Sequence, residues 1–324
     1  MPVPTRVSFS ALCAAMLAVT APANAQQDPL NVLATVGMIA DVAQTVAGDC
    51  AQVSTLIGPG TDPHSYAATP GDVTKIASAE LILYVDRALE ERLADVLDNF
   101  RDRTPTLGLA SAAFGPADLL MDPEDTSVMD PHLWMDVSRW ARIAPVIADA
   151  IGDLRPDCAG SLTENASGYM DDLAVLHDWV GAAIASIPED RRVLVTAHDA
   201  FFYFADAYGI EASEAIEGIS TASEASIGDI RTVADFVIDR GVPAVFVETT
   251  INPRTVEALV AEVQARGHDV AIGGALFSDA MGAADTPEGT YIGMIRANTA
   301  MITQALGGSL PAWPDALAQH GVSP

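Results

Sequence analysis

The sequence predicts an α/β fold: two parallel-sheet lobes joined by one long rigid α-helix. Three observations support this. Short apolar runs alternate with helix-period stretches, the rhythm of a parallel sheet covered by helices. That alternation occurs twice along the chain. Between the two series lies an uninterrupted helical pattern from Leu162 to Ile187.

The elements follow in order. Asn31 to Val36 is a short apolar strand, followed by a helix from Ile39 to Ala47. Val53 to Ile57 is the next strand. Leu81 to Val85 is fully apolar and precedes a charged helix from Arg87 to Asn99, and Thr106 to Leu109 completes the first series. In the long helix Leu162, Ala166, Met170, Leu173, Val180, Ile184 and Ile187 recur at helical spacing. At about 1.5 Å per residue it spans about 40 Å. Pro188 ends it, and Gly168 and Gly181 are its weak points. The second series has a strand at Arg192 to Thr196 and a helix at Phe201 to Tyr208. A helix from Ser223 to Arg240 stops at Gly241, and Val245 to Val247 is a strand. A helix from Pro253 to Arg266 stops at Gly267, and Asp269 to Ile272 is a strand. The implied organisation is a leader at residues 1–25, a lobe at 26–160, the linking helix at 161–187 and a second lobe at 188–324.

The leader reads as a secretory signal. Arg6 is its only charge, an apolar run extends from Phe9 to Val19, and Ala23-Asn24-Ala25 fits the small-x-small cleavage pattern. Cys13 lacks the small residue that precedes a lipidated cysteine. The expectation is a periplasmic protein beginning near Gln26. Export to an oxidising compartment then favours a Cys50–Cys158 disulfide.

The chain has 324 residues and a formal charge of −28. Such acidity excludes nucleic-acid binding, which needs Lys and Arg to displace phosphate counterions. It permits a cationic ligand. Asp-Pro-His occurs twice, at Asp62-Pro63-His64 and Asp130-Pro131-His132. Proline fixes the backbone before each imidazole, and each aspartate can order its loop or orient the ring. His198 lies just past a strand, where open α/β sheets bind ligands. Asp279 lies in a turn rich in small residues, with Gly273, Gly274, Ala280 and Gly282, which makes that loop the expected gate. Three imidazoles and one carboxylate suit a divalent transition metal. His177 reads as solvated, His268 as a cap or surface residue and His320 as part of the tail. Asp118, Asp122, Glu124 and Asp125 form an acidic loop within residues 115–129 that could attract cations. Protons compete for the imidazoles, so binding is expected to weaken below about pH 6.5.

Longer segments carry a family resemblance. They are Gly58 to Tyr66 with Pro70-Gly71-Asp72-Val73, Asp130 to Trp134, and Thr196 to Phe201 with Tyr203-Phe204 and Tyr208-Gly209. Gly218 to Ser226 and Phe277 to Gly282 complete the set. The chain resembles the zinc/manganese solute-binding proteins of bacterial ABC importers, the TroA-like family. The resemblance implies metal ligands at His64, His132, His198 and Asp279, in a cleft between the lobes. It also implies one Zn2+ per chain, with Mn2+ as the alternative, a monomer, and an ABC importer membrane permease as partner. The chain lacks the histidine-rich loop of many zinc-specific members. It carries His198 where many manganese-specific members have Glu, and it replaces the family's usual Asn-Gly around Val85-Asp86-Arg87. No enzyme is expected. The rival readings are an exported zinc-dependent hydrolase, which would keep an open metal position for water, and an adhesin or structural exported protein, which would need no clustered imidazoles.

Overall fold

Apolar runs pair where both sheet faces are covered, and this sets the order of the first lobe. A computed structural model describes Met1 and residues 28–86, 89–122, 126–221 and 225–320; the expected signal segment lies outside these. Strands β1 (Leu30–Ala34), β2 (Ala51–Thr55), β3 (Leu81–Tyr84) and β4 (Thr106–Gly108) form a parallel sheet in the order β2-β1-β3-β4. Central β1 and β3 are buried almost throughout, while edge strand β2 alternates buried with exposed residues. Helices α1 (Gly37–Ala47), α2 (Pro70–Ser78), α3 (Ala94–Asp98) and α4 (Leu109–Ala113) connect and cover the strands. α2 starts at a capping box formed by Thr69 and Asp72, with Pro70 at the first helical position.

The expected helix from Arg87 to Asn99 is largely absent. The chain makes a 3-10 turn at Glu91–Leu93 and only then enters α3, while Arg87 and Ala88 lie outside the described residues. Buried Glu90 is the physical reason. Its carboxylate accepts the Thr35 hydroxyl at 2.6 Å and the Val85 and Asp86 amides at 2.8 and 3.1 Å. Those bonds hold a turn, and Asp86 sits in it at φ 82°.

Helices α5 (Val137–Trp140) and α6 (Ile143–Leu154) lead to α7 (Ala159–Ala185), 27 residues without a break. α7 starts and ends a few residues earlier than the periodicity suggested. It packs against α1, α5 and α6 and also against α8 (Phe202–Tyr208) and α11 (Tyr291–Ala305). Cys50 is bonded to Cys158, at the entrance to α7. The bridge closes a loop with a sequence separation of 108, which constrains the unfolded chain by up to about 4–5 kcal/mol. Cys50→Ser with Cys158→Ser is expected to lower the chemical denaturation midpoint clearly. Equal midpoints with and without reductant would contradict a bridged native state.

The second lobe continues with β5 (Val193–His198), β6 (Ala212–Glu217), α9 (Ile227–Arg240), β7 (Ala244–Glu248), α10 (Arg254–Ala265) and β8 (Ala271–Leu276). β5 pairs in parallel with β6 and β7 with β8, while β5 also runs alongside β7. α9 begins at a Ser226–Asp229 capping box and ends at Gly241, whose φ of 63° favours glycine. Its expected start at Ser223 lies outside the described residues.

Strand β6 has no strong sequence signature, because Ala-Ser-Glu-Ala-Ile-Glu has poor strand propensity; it is specified by its register on β5, from Val193↔Ala212 to His198↔Glu217. The sequence pattern gives no expectation for α11. Gly273 and Gly274, read as a turn, belong to β8. A side chain at 273 would meet the Phe246 ring at 2.6 Å, so the glycine allows a close approach.

The larger hydrophobic core does not stop at the lobe boundary. It runs from β1 and β3 through α7 to Phe201, Phe204, Phe246, Tyr291 and Ile302, and a smaller core lies beneath α9 and α10. Sharing a close-packed core makes rotation of one lobe against the other costly. No helix among the described residues is long and apolar enough to cross a membrane.

Candidate metal centre

Each site residue sits where a strand or turn ends at the junction of the lobes. His64 follows β2, and His132 precedes the 3-10 turn Leu133–Met135. His198 is the last residue of β5, one step inside the strand rather than beyond it, and Asp279 follows β8. All four are at least 98% buried. One ligand atom from each lies within 4.8 Å of the others. The His64 and His132 Nε2 atoms are 3.3 Å apart. Asp279 Oδ2 is 3.6 Å from His64 Nε2 and 3.2 Å from His198 Nε2, and Oδ1 is 3.4 Å from His132 Nε2.

Only the His64–His132 contact is a hydrogen bond among these approaches. His198 Nε2 and both Asp279 oxygens are buried without a hydrogen-bond partner among the described residues. Buried polar atoms normally find partners. Three rings and a carboxylate turned toward one point, with lone pairs unsatisfied, fit a tetrahedral N3O cation site.

The two matching tripeptides do different work. Asp130 Oδ1 accepts the His132 amide at 2.8 Å and the Nδ1–H of the same ring at 2.7 Å. That directs Nε2 inward. Asp62 Oδ1 accepts only the His64 amide, at 2.8 Å, while Oδ2 takes the Thr221 hydroxyl. His198 has a partner the sequence reading missed. Glu248, at the end of β7, accepts the His198 amide at 2.9 Å and its Nδ1–H at 2.6 Å. The available signal was a carboxylate at the carboxyl end of an apolar strand, where a ligand site is expected. His64 Nδ1 has no partner among the described residues.

This asymmetry separates the acidities. Burial lowers His64 to about 4, and the Asp279 charge only partly opposes it. Burial also penalises charged His132, but Asp130 and Asp279 outweigh it and raise that ring to about 9. His198 is raised well above its ordinary value, because Glu248 and Asp279 overcome burial. Burial would raise Asp279, but His198 and His132 hold it well below the usual carboxylate range.

The remaining candidates lie elsewhere. His177 is not simply solvated, since its Nδ1 is 3.1 Å from the Tyr208 hydroxyl. His268 Nε2 meets the Val242 carbonyl at 3.0 Å, and His320 Nε2 meets Asp172 at 2.8 Å. Asp118 of the acidic loop is paired with Arg142 at 3.0 Å, while Glu124 and Asp125 lie outside the described residues. The loop carrying Asp279 is a poor gate. Trp134 donates its indole N–H to the Ser278 carbonyl at 2.8 Å, and Asn298 exchanges two hydrogen bonds with Phe277.

Comparison with known proteins agrees with this geometry. A family model described as the periplasmic component A of a zinc-uptake complex, ZnuA, matches residues 32–305. The zinc-binding protein TroA of Treponema pallidum (strain Nichols) is 42% identical over 275 residues, covering 85% of this chain and 88% of that protein. The manganese-binding lipoprotein MntA of Bacillus subtilis (strain 168) is 39% identical over 277 residues, covering 86% and 90%. The solved structure of the periplasmic zinc-binding protein TroA from Treponema pallidum superposes with a TM-score of 0.83 at 41% identity. It covers 86% of this chain and 99% of that one.

Proposed function

The chain belongs to the family of periplasmic zinc-uptake component A proteins, and from that premise we propose that it captures one divalent metal ion for an ABC importer. His64, His132, His198 and Asp279 are the proposed ligands. The observation that carries the reading is the convergence of these four buried donors from both ends of the chain. Zinc is the proposed cargo, because three imidazoles favour it and manganese stands lowest in the usual affinity order. The carboxylate keeps manganese as the alternative, and the names of the two relatives, one for zinc and one for manganese, support that pair.

The electrostatics support a cation, because the imidazoles around Asp279 favour its ionised carboxylate. Four converging protein donors argue for holding an ion rather than activating a water. Delivery to a membrane permease, export with removal of residues 1–25, a monomeric state and the lobe boundaries at 160 and 188 belong to the same proposal.

The test is direct. Metal-stripped protein should bind one zinc ion per chain in a titration, and manganese should compete weakly. No binding at micromolar metal, or several equivalent ions per chain, would overturn the reading. Glu248→Gln should weaken zinc binding by about 10- to 100-fold, because the His198 ring loses its anionic support. An unchanged affinity would remove Glu248 from the site's machinery.

A further inference from the structure

The three imidazoles are not held alike, and the difference points to how metal leaves. His132 and His198 each have a carboxylate fixing the ring at Nδ1, whereas His64 has none. The His64 ring therefore depends on its backbone. That backbone belongs to a stretch tethered at both ends: the Ile57 amide bonds the Thr35 carbonyl at 2.9 Å, and the Tyr66 hydroxyl bonds Asp72 at 2.7 Å. Between these ends, hydrogen bonds outside the ligand cluster that tie the stretch to other parts of the described chain are few. The Arg92 guanidinium reaches the Ser65 carbonyl only at 3.5 Å. The short bond is from the Thr221 hydroxyl to Asp62 Oδ2, at 2.7 Å and 159 residues away in sequence.

Asp62 thus joins two contacts. One oxygen holds the His64 amide and the other holds Thr221, beyond the end of β6 in the opposite lobe. Both residues are half-buried, so water can take over the bond when it opens. Rotation of whole lobes would disrupt a shared core and an unbroken α7. Displacement of the His64 segment leaves that core and α7 in place, and this bond is its short side-chain link to the opposite lobe. We infer that the Thr221–Asp62 hydrogen bond is an interlobe latch that keeps His64 on the metal and sets how fast the ion is released. Thr221 is a positioning residue in this scheme, and the inference rests on the metal-binding reading above.

The experiment follows zinc release from the full protein into excess chelator by stopped flow. Thr221→Val keeps the side-chain shape and removes the donor, while Thr221→Ser keeps the hydroxyl. Loss of a hydrogen bond to a charged group should speed release by about ten-fold in Thr221→Val. Association should stay within about two-fold, Thr221→Ser should release like the parent, and the metal-free proteins should unfold at the same temperature. Parental release in Thr221→Val, or equally fast release in Thr221→Ser, overturns the latch and leaves metal binding standing. A parent chain that takes up no zinc overturns both.

Discussion

Replacing His64 with alanine is expected to lower zinc affinity by two to three orders of magnitude and leave fold stability nearly unchanged. A four-ligand zinc site contributes roughly 10–16 kcal/mol, or about 3 kcal/mol per ligand, and each 1.4 kcal/mol is tenfold. The near-neutral effect on stability is specific to this ring. Its Nδ1 has no partner among the described residues, so its removal leaves no carboxylate stranded there. His198→Ala should lose comparable affinity and also lower stability, because buried Glu248 would keep the residue 198 amide on Oε1 but lose the ring on Oε2. An uncompensated buried charge costs about 3–5 kcal/mol. Calorimetric titration with thermal unfolding of the metal-free variants checks both halves. Equal unfolding temperatures for the two variants would contradict the assigned roles, and retained affinity in either would remove that ring from the site.

The second large effect concerns protons. Free imidazoles would make binding fall only below about pH 6.5, but the folded site shifts that window upward. His132 is raised to about 9, so that ring carries a proton in metal-free protein at neutral pH, and Glu248 and Asp279 push His198 in the same direction. His64, lowered to about 4, is already neutral there. Metal needs the Nε2 lone pairs, so uptake below about pH 9 should expel a proton from His132, and the raised His198 acts in the same direction. Affinity should therefore rise with pH through neutrality, by about tenfold per pH unit or more. Stability of the metal-free fold moves the opposite way. The raised pKa of His132 stabilises the fold below its unfolded value of about 6.5, a contribution lost as pH rises through about 9. Calorimetry in buffers of different ionisation enthalpy counts the protons directly. No proton release, with constant affinity from pH 6 to 8, would reject the shifted imidazoles.

Acid weakens binding through His132 and His198 and not through His64, which stays neutral until about pH 4. Mechanical displacement of the His64 segment, rather than its titration, remains the route consistent with the Asp62–Thr221 contact.

The sequence by itself determined the βα rhythm, the long helix, the apolar central strands and the four residues that meet at the site. Each of these is a local signal. Periodicity reports which face of an element is buried, proline and glycine mark where elements end, and repeated Asp-Pro-His marks a shaped loop. Tertiary structure alone decided what depends on partners distant in sequence. Glu248 supports His198 across 50 residues, and β6 is a strand because β5 lies beside it. A charged stretch becomes a turn because Glu90 is buried against Thr35, 55 residues away. The two Asp-Pro-His copies look alike in the chain yet differ in the fold: Asp130 turns back to its own ring, and Asp62 reaches to Thr221. The physical reason is range. Backbone preference and amphipathic pattern act over a few residues, whereas a carboxylate's hydrogen-bond partner is chosen by which chain segment the topology brings within about 3 Å.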